Sequence, residues 1–495
     1  MNALVAAPLL TALGAGTLCL LAGPRAQRSL LGAGALAHLL AALATSALVL
    51  SEGPHALHIG GWNAPLGIAL VADSFAVVFL SLSGLLGFAI ALQARRRLAP
   101  REVQAGFPAL LFFLLAGVDA AFLTADLFHL YVAFEVLLLA SFVQLVVGGG
   151  EERRSAAVRY LIPGVLSSML LLAGVGLLYG LTGTLSMPAA AERVAELGST
   201  PAVRAVAGLL ALAFALKAAL FPVFAWLPAA YPAARSEVAA LFSGLLTKVG
   251  VYALVRVFTL VLPAELAWLG PVLLLLAALT MVCGVLGALA QWDMQRLLSF
   301  HVVSQVGYLV LGLGLGTTAA LAATVYYVFH NSVAKCGLLL ATGLVRAERG
   351  TDRLRELGGL VRSAPALSAL FLLCALALAG VPPLSGFWAK LLVLRAALGV
   401  QAWAVVAVAA GVGLLTLLSM AKIWVHAFWG EPASAPEQSS AGPRAALELA
   451  PLALLGAVVV ALGVGAGPAI DASWRAAEGL LDPSGYLGAL REAAQ

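Results

Sequence analysis

The chain has 495 residues, 62% of them hydrophobic and only 10% charged, with a mean hydropathy of +1.03 and a formal net charge of +5. A soluble domain carries roughly a quarter charged residues, so this balance excludes one as the main body, and lipid must solvate most of the chain. The positive charge does not point to nucleic acid, because the arginines are spread through short loops rather than gathered in a patch.

Apolar stretches able to cross about 30 Å of hydrocarbon recur along the sequence. They predict an all-α polytopic membrane protein of about fourteen transmembrane helices, near residues 3–22, 29–50, 68–92, 107–124, 127–148, 156–181, 203–228, 237–262, 266–290, 298–316, 319–345, 364–396, 402–429 and 446–466. The first stretch lacks a basic n-region and a persuasive cleavage site, so it reads as a retained helix. Segments 51–67, 182–202 and 430–445 read as solvent loops. Beyond Gly467, Trp474, Leu480, Leu481 and Tyr486 among charged residues suit a short tail at the membrane surface. Cys19, Cys283, Cys336 and Cys374 fall in apolar segments at spacings that predict neither disulfides nor a metal site.

Prolines interrupt the seventh predicted helix at Pro222 and the twelfth at Pro382 and Pro383, each close to a lysine. Broken helices at matching positions are a mark of transporters built from inverted repeats, so helices four to eight and nine to thirteen are expected to form two five-helix repeats. The chain then divides into residues 1–106 with three helices, 107–262 with the first repeat, 263–429 with the second, and 430–495 with a loop, the last helix and the tail. Arginines favour one side of this topology, among them Arg95, Arg96, Arg97, Arg153, Arg154, Arg235, Arg346, Arg349, Arg353, Arg355 and Arg444. The opposite side holds only Arg193, Arg204, Arg256, Arg395, Arg475 and Arg491, so the positive-inside rule places both termini outside a plasma membrane.

The five lysines, Lys217, Lys248, Lys335, Lys390 and Lys422, all fall within predicted membrane helices, whereas nearly all arginines lie in loops or at helix ends. Lysine can give up its proton in a low-dielectric site and arginine cannot, so this segregation suits proton transfer. Holding Lys217, Lys248, Lys335, Lys390 and Glu135 in the bilayer costs on the order of 15 kcal/mol on insertion scales, more than a purely structural role warrants. Lys422, near Trp424 at the end of its helix, suits snorkelling instead.

Glu135 stands mid-helix, about 13 Å of rise beyond Asp126, and reads as the only acid so deep, with Lys217 as its first-choice partner. Pro222, five residues after Lys217, frees a backbone carbonyl and so marks a hydrated path. His301, His330 and Lys335, with Ser304, Gln305, Asn331 and Ser332, could bridge Lys248 to Lys390. His129, Asp119, Asp126 and Glu237 lie near helix ends, where a solvated or capping role is expected. No phosphate-binding loop, dinucleotide fingerprint or four-cysteine cluster is present, so neither nucleotide hydrolysis nor intrinsic redox chemistry is supported and no cofactor is expected.

The runs Lys217-Ala-Ala-Leu-Phe-Pro-Val-Phe-Ala-Trp-Leu-Pro and Leu241-Phe-Ser-Gly-Leu-Leu-Thr-Lys-Val-Gly-Val-Tyr-Ala-Leu-Val-Arg resemble the antiporter-like subunits of complex I and of Mrp cation/proton antiporters. Gly60-Gly-Trp-Asn-Ala-Pro-Leu-Gly-Ile, Ala379-Gly-Val-Pro-Pro-Leu-Ser-Gly-Phe-Trp-Ala-Lys and Ala427-Phe-Trp-Gly-Glu are most similar to the D subunits of the Mrp group. The resemblance implies that Glu135 and Lys217 form the family's ion pair, that Lys248 is its central lysine and that Lys390 is its terminal proton site. Val223 and Ala229 depart from positions where relatives often carry polar groups, and Asn331 stands where a histidine is common, with His330 one place earlier. The expected function is a proton-translocating subunit of a multisubunit sodium/proton antiporter, partnered by homologous membrane subunits. Alternatives are a membrane-arm subunit of an NADH-quinone oxidoreductase or membrane-bound hydrogenase, and a scaffold whose charges only orient helices.

Overall fold

A computed structural model describes residues 2–62, 67–431 and 446–494. Most of the predicted 430–445 loop, with Arg444, and residues 63–66 of the Gly60 motif lie outside the described residues. The chain opens with α1 (Ala7–Leu21) and α2 (Pro24–Glu52), followed by an antiparallel hairpin of β1 (His55–His58) and β2 (Ala69–Ala72) in which His55 faces Ala72 and His58 faces Ala69. Then come α3 (Ser74–Arg97), α4 (Pro100–Gln104), α5 (Phe107–Leu123), α6 (Leu127–Val146), α7 (Glu151–Thr182), α8 (Met187–Leu197), α9 (Pro201–Ala218), α10 (Trp226–Ala230), α11 (Ser236–Leu241) and α12 (Thr247–Leu260). The second part holds α13 (Leu266–Ala290), α14 (Met294–Leu315), α15 (Thr318–Arg349), α16 (Leu360–Ser363), α17 (Pro365–Ala379), α18 (Ser385–Gly399), α19 (Trp403–Ile423), α20 (Ala446–Val464), α21 (Ala466–Leu481) and α22 (Ser484–Ala493).

Local chemistry sets these boundaries. Asp73, Asp126 and Asp293 each accept a hydrogen bond from the backbone amide three residues on, capping α3, α6 and α14, and Thr200 and Thr317 do the same for α9 and α15. Among the described residues twelve helices are long and apolar enough to cross a membrane, and α5 and α17 are shorter apolar helices. Outer helices turn leucine, isoleucine and methionine outward, with Ile162, Met169, Leu275 and Leu414 each more than 60% exposed, as a lipid-facing flank requires. Trp403 and Trp429 bracket one span at its two exposed ends, the placement of interfacial anchors. The protein is thus an all-α multi-pass membrane protein.

Three features differ from the sequence expectation. Residues 51–67 contain a strand, and the third helix starts at Ser74 because residues 69–72 pair with that strand. Segment 182–202 contains α8, an amphipathic helix too polar on one side to resemble a span. The tail after Gly467 is folded into α21 and α22, which bury their apolar sides on α3, α15 and β1 instead of lying free on lipid. The seventh and twelfth predicted helices are each broken near their prolines, as the sequence expects, into α9 with α10 and α17 with α18. At the centre stands α15, enclosed by α3, α11, α14, α17, α18, α20 and α21.

Candidate functional site

The two breaks share one backbone design. After α9, Ala219 adopts φ 63° and the amide of Leu220 donates to Ala215 O; after α17, Gly380 adopts φ 92° and the amide of Val381 donates to Leu376 O. Both are left-handed caps that close a helix in the middle of the protein, and a proline follows three residues after each, at Pro222 and Pro383. Each break lies close to a lysine. Lys217 lies in the last turn of α9, and Lys390, on α18, reaches back to donate to Ala379 O at 2.6 Å.

Glu135 on α6 is half-buried and its Oε1 has no hydrogen-bond partner; the same is true of the buried Lys217 Nζ, which lies 5.2 Å from the centre of the Phe134 ring. Glu135 acts electrostatically on Lys217 but no ion pair within 4.0 Å joins them. A small cavity of about 20 Å³, room for a single water, opens beside Lys217 between Tyr160, Ser167 and Trp226. Trp226 Nε1 crosses the break to donate to Leu216 O at 3.1 Å.

Lys248 follows a wide π-turn, Phe242–Leu246, that interrupts α11 and α12. Such turns disturb the regular pairing of carbonyls, and the fully buried Lys248 ammonium donates to Ser243 O at 2.5 Å and to Thr247 Oγ1 at 3.3 Å. Gly250 lets α12 approach α9 closely, because a Cβ there would meet the Ala218 nitrogen at 2.6 Å. The two lysine-bearing helices are therefore in backbone contact. On its other side the π-turn packs against α15, which carries Lys335, a fully buried amine with no hydrogen-bond partner and with Lys248 as its electrostatic neighbour. Asn331 and Ser332, a turn earlier on α15, also lack side-chain partners.

His330 Nδ1 pairs with Ser385 Oγ at 2.8 Å at the start of α18, and His301 Nε2 pairs with Ser419 Oγ on α19. Both histidines feel Lys390, and His301 also feels Lys335. Electrostatic contact thus joins Glu135 to Lys217, Lys248 to Lys335, Lys335 to His301, and both His301 and His330 to Lys390, while the close approach of α9 and α12 brings the helices of Lys217 and Lys248 together. Lys422 stands apart: it donates to Leu289 O and Gln291 O at 2.8 and 2.7 Å and rests on the Trp292 ring, closing the C-terminus of α13.

Some assignments by sequence position do not hold. Asp119 neither caps a helix nor meets solvent; it is fully buried and lies 2.6 Å from His38, a residue without a role in the sequence-based expectation, so Glu135 is not the only enclosed acid. The available signal was a histidine in the middle of the apolar α2. Asp126 does cap α6. Burial raises the Asp126 carboxyl above its ordinary range, against the lowering effect of the amides it accepts from. Glu237 is buried in a cluster with Arg97 and Arg235, the latter also gripping Glu102 through both carboxylate oxygens at 2.6 Å. Among the described residues no group of three metal-ligating side chains is assembled.

The family model described as NADH:quinone oxidoreductase/Mrp antiporter, TM, matches residues 124–416. The chain belongs to this family. It is 40% identical to the D subunit of the Na(+)/H(+) antiporter of Alkalihalophilus pseudofirmus, across 98% of this chain and 99% of that one. Among solved structures it superposes with TM-score 0.90 on a chain of the Mrp complex from Dietzia sp. DQ12-45-1b, at 32% identity and 99% coverage of both chains. A chain of an archaeal membrane-bound sulfane sulfur reductase gives TM-score 0.89 at 26% identity, covering 98% of this chain and 99% of that one. The matched segment contains every residue from Glu135 to Lys390 in the line above.

Proposed function

We propose that this family member is a proton-translocating membrane subunit of a multisubunit Na+/H+ antiporter in the plasma membrane, a transporter subunit rather than an enzyme, assembled with homologous antiporter-like subunits. The observation that carries the proposal is the run of amines, Lys217, Lys248 and Lys335 buried and Lys390 half-buried, set among buried polar atoms without protein partners. Such atoms are costly when dry, so water is the partner that fits them, and water joined to titratable amines conducts protons. The shared name of the relatives supplies the cation. Sodium-driven proton movement into vesicles containing the complex tests it: Lys390→Ala is expected to abolish exchange while the complex still assembles, and unaltered exchange would sink the reading.

Likeness to the respiratory reductase supports a second reading, a membrane arm of a redox-driven complex. Iron-sulfur or flavin subunits copurifying with the chain would favour it; homologous antiporter subunits alone would favour the first. The equivalent caps at Ala219 and Gly380 support two inverted five-helix repeats within about fourteen crossings. Arginine placement supports both termini outside. Reagent added to intact cells should leave Arg355→Cys unlabelled, and labelling there would reverse the topology.

A further inference from the structure

His38 and Asp119 form the one buried acid–base pair, among the described residues, that the line from Glu135 to Lys390 does not use and that holds a histidine. Their Nε2 and Oδ2 atoms are 2.6 Å apart and both side chains are fully enclosed. They stand on the far side of α5 from that line. Gly117 marks the face of α5 that meets Ala133 and Leu137 of α6, and Asp119, two residues later, points about 200° around the helix, toward α2. The second polar atom of each residue, His38 Nδ1 and Asp119 Oδ1, has no protein partner. Nδ1 faces Gly87 of α3, within 3.7 Å of where a Cβ there would lie.

We propose that His38 and Asp119 are a second proton-binding site, separate from the lysine line, that gains and loses one proton at His38 Nδ1. The bridging proton stays between Nε2 and Oδ2. With Nδ1 also protonated the pair is an imidazolium beside a carboxylate and is neutral; releasing the Nδ1 proton to water leaves a neutral imidazole beside the carboxylate, one net negative charge. Among the described residues the interiors of α1, α2, α3 and α5 hold no other acid or base except Cys19. Charged groups and imidazoles on packed elements are Arg25, Arg28 and Glu52 at the ends of α2, Asp73, Arg95, Arg96 and Arg97 at the ends of α3, Arg101 and Glu102 on α4, His129 and Glu135 on α6, and Lys248 and Arg256 on α12. A charge appearing at Asp119 therefore acts on α5 and, through it, on the Glu135 helix packed against it. A purely structural pair would hold helices together without exchanging a proton.

The inference rests on the transport reading for its use, but its direct test does not. Nitrogen NMR of histidine-labelled purified complex, with His38→Gln identifying the His38 signals, is expected to show Nδ1 changing protonation across the pH range over which the complex stays folded, and Asp119→Asn, which keeps volume and a hydrogen bond, should displace that transition. Sodium-driven proton flux in Asp119→Asn should shift its pH profile by about one unit, with Asp119→Glu restoring it. A His38 signal constant across the range, or an unchanged flux profile in Asp119→Asn, would overturn the site. A complex that transports nothing in its native form would instead sink the proposed function and leave the NMR result to stand on its own.

Discussion

Lys390 Nζ lies 2.6 Å from the carbonyl oxygen of Ala379, the last residue of α17, across the break that separates α17 from its own helix. Exposed carbonyls at a helix C-terminus carry partial negative charge, so the half-helix itself supplies the counter-charge that no carboxylate provides there. At the first break Trp226 takes the Leu216 carbonyl, and Lys217 is left without a hydrogen bond, facing Phe134. One lysine is anchored and the other is free to answer Glu135.

Gly380→Ala tests that anchor. The left-handed φ of 92° costs a residue with a side chain about 1–2 kcal/mol, and the added Cβ would meet Lys390 Cδ at 2.8 Å. Lower thermal stability of the purified complex and slower exchange are expected together. Unchanged values of both would mean that the cap does not hold the lysine.

Lys390→Arg keeps the charge and reaches the same carbonyl, yet arginine does not release its proton at working pH. Exchange should fall to the background of a vesicle without complex, with assembly intact on native gels. Full transport by this variant would rule out proton loading at residue 390.

Lys422→Met should separate structure from transport. It removes the donor to two carbonyls at the end of α13, a loss of about 1.5–3 kcal/mol for hydrogen bonds from a charged group. The complex should melt earlier but exchange normally per folded molecule. A selective loss of exchange at normal stability would place Lys422 among the proton carriers.

Much of this arrangement was legible in the sequence because membrane solvation makes each enclosed charge conspicuous: Lys217, Lys248, Lys335, Lys390 and Glu135 stand out against apolar neighbours, and Pro222 and Pro383 mark the breaks. What escaped depends on tertiary partners. Asp119, four residues from the end of α5, resembles a solvated cap until α2 is seen to bring His38 against it. The β1–β2 hairpin hid because Ala69–Ala72 is as apolar as the helix that follows it. Helix α8 and the tail helices hid because their polar sides break the hydropathy signal while their apolar sides need this bundle to bury them.

Glu135 and Lys217 offer the sharpest test of mechanism. No ion pair within 4.0 Å joins them in this structure, and both Glu135 Oε1 and Lys217 Nζ are without hydrogen-bond partners. Yet Lys217 hovers over Phe134, the residue next to Glu135, so rotation of its long side chain can make or break the pair. At an effective dielectric near 20, unit charges brought to about 4 Å attract by about 4 kcal/mol, enough to decide whether the buried amine keeps or passes on its proton. If the two residues are one switch, Glu135→Ala and Lys217→Ala should each cut exchange by at least about tenfold, and the double variant should lose no more than about twofold beyond either, because all three block the same step. Two independent carriers would multiply their losses instead. The measurement is sodium-driven proton flux at equal abundance of assembled complex, and multiplied losses, or normal flux in Glu135→Ala, would reject the switch.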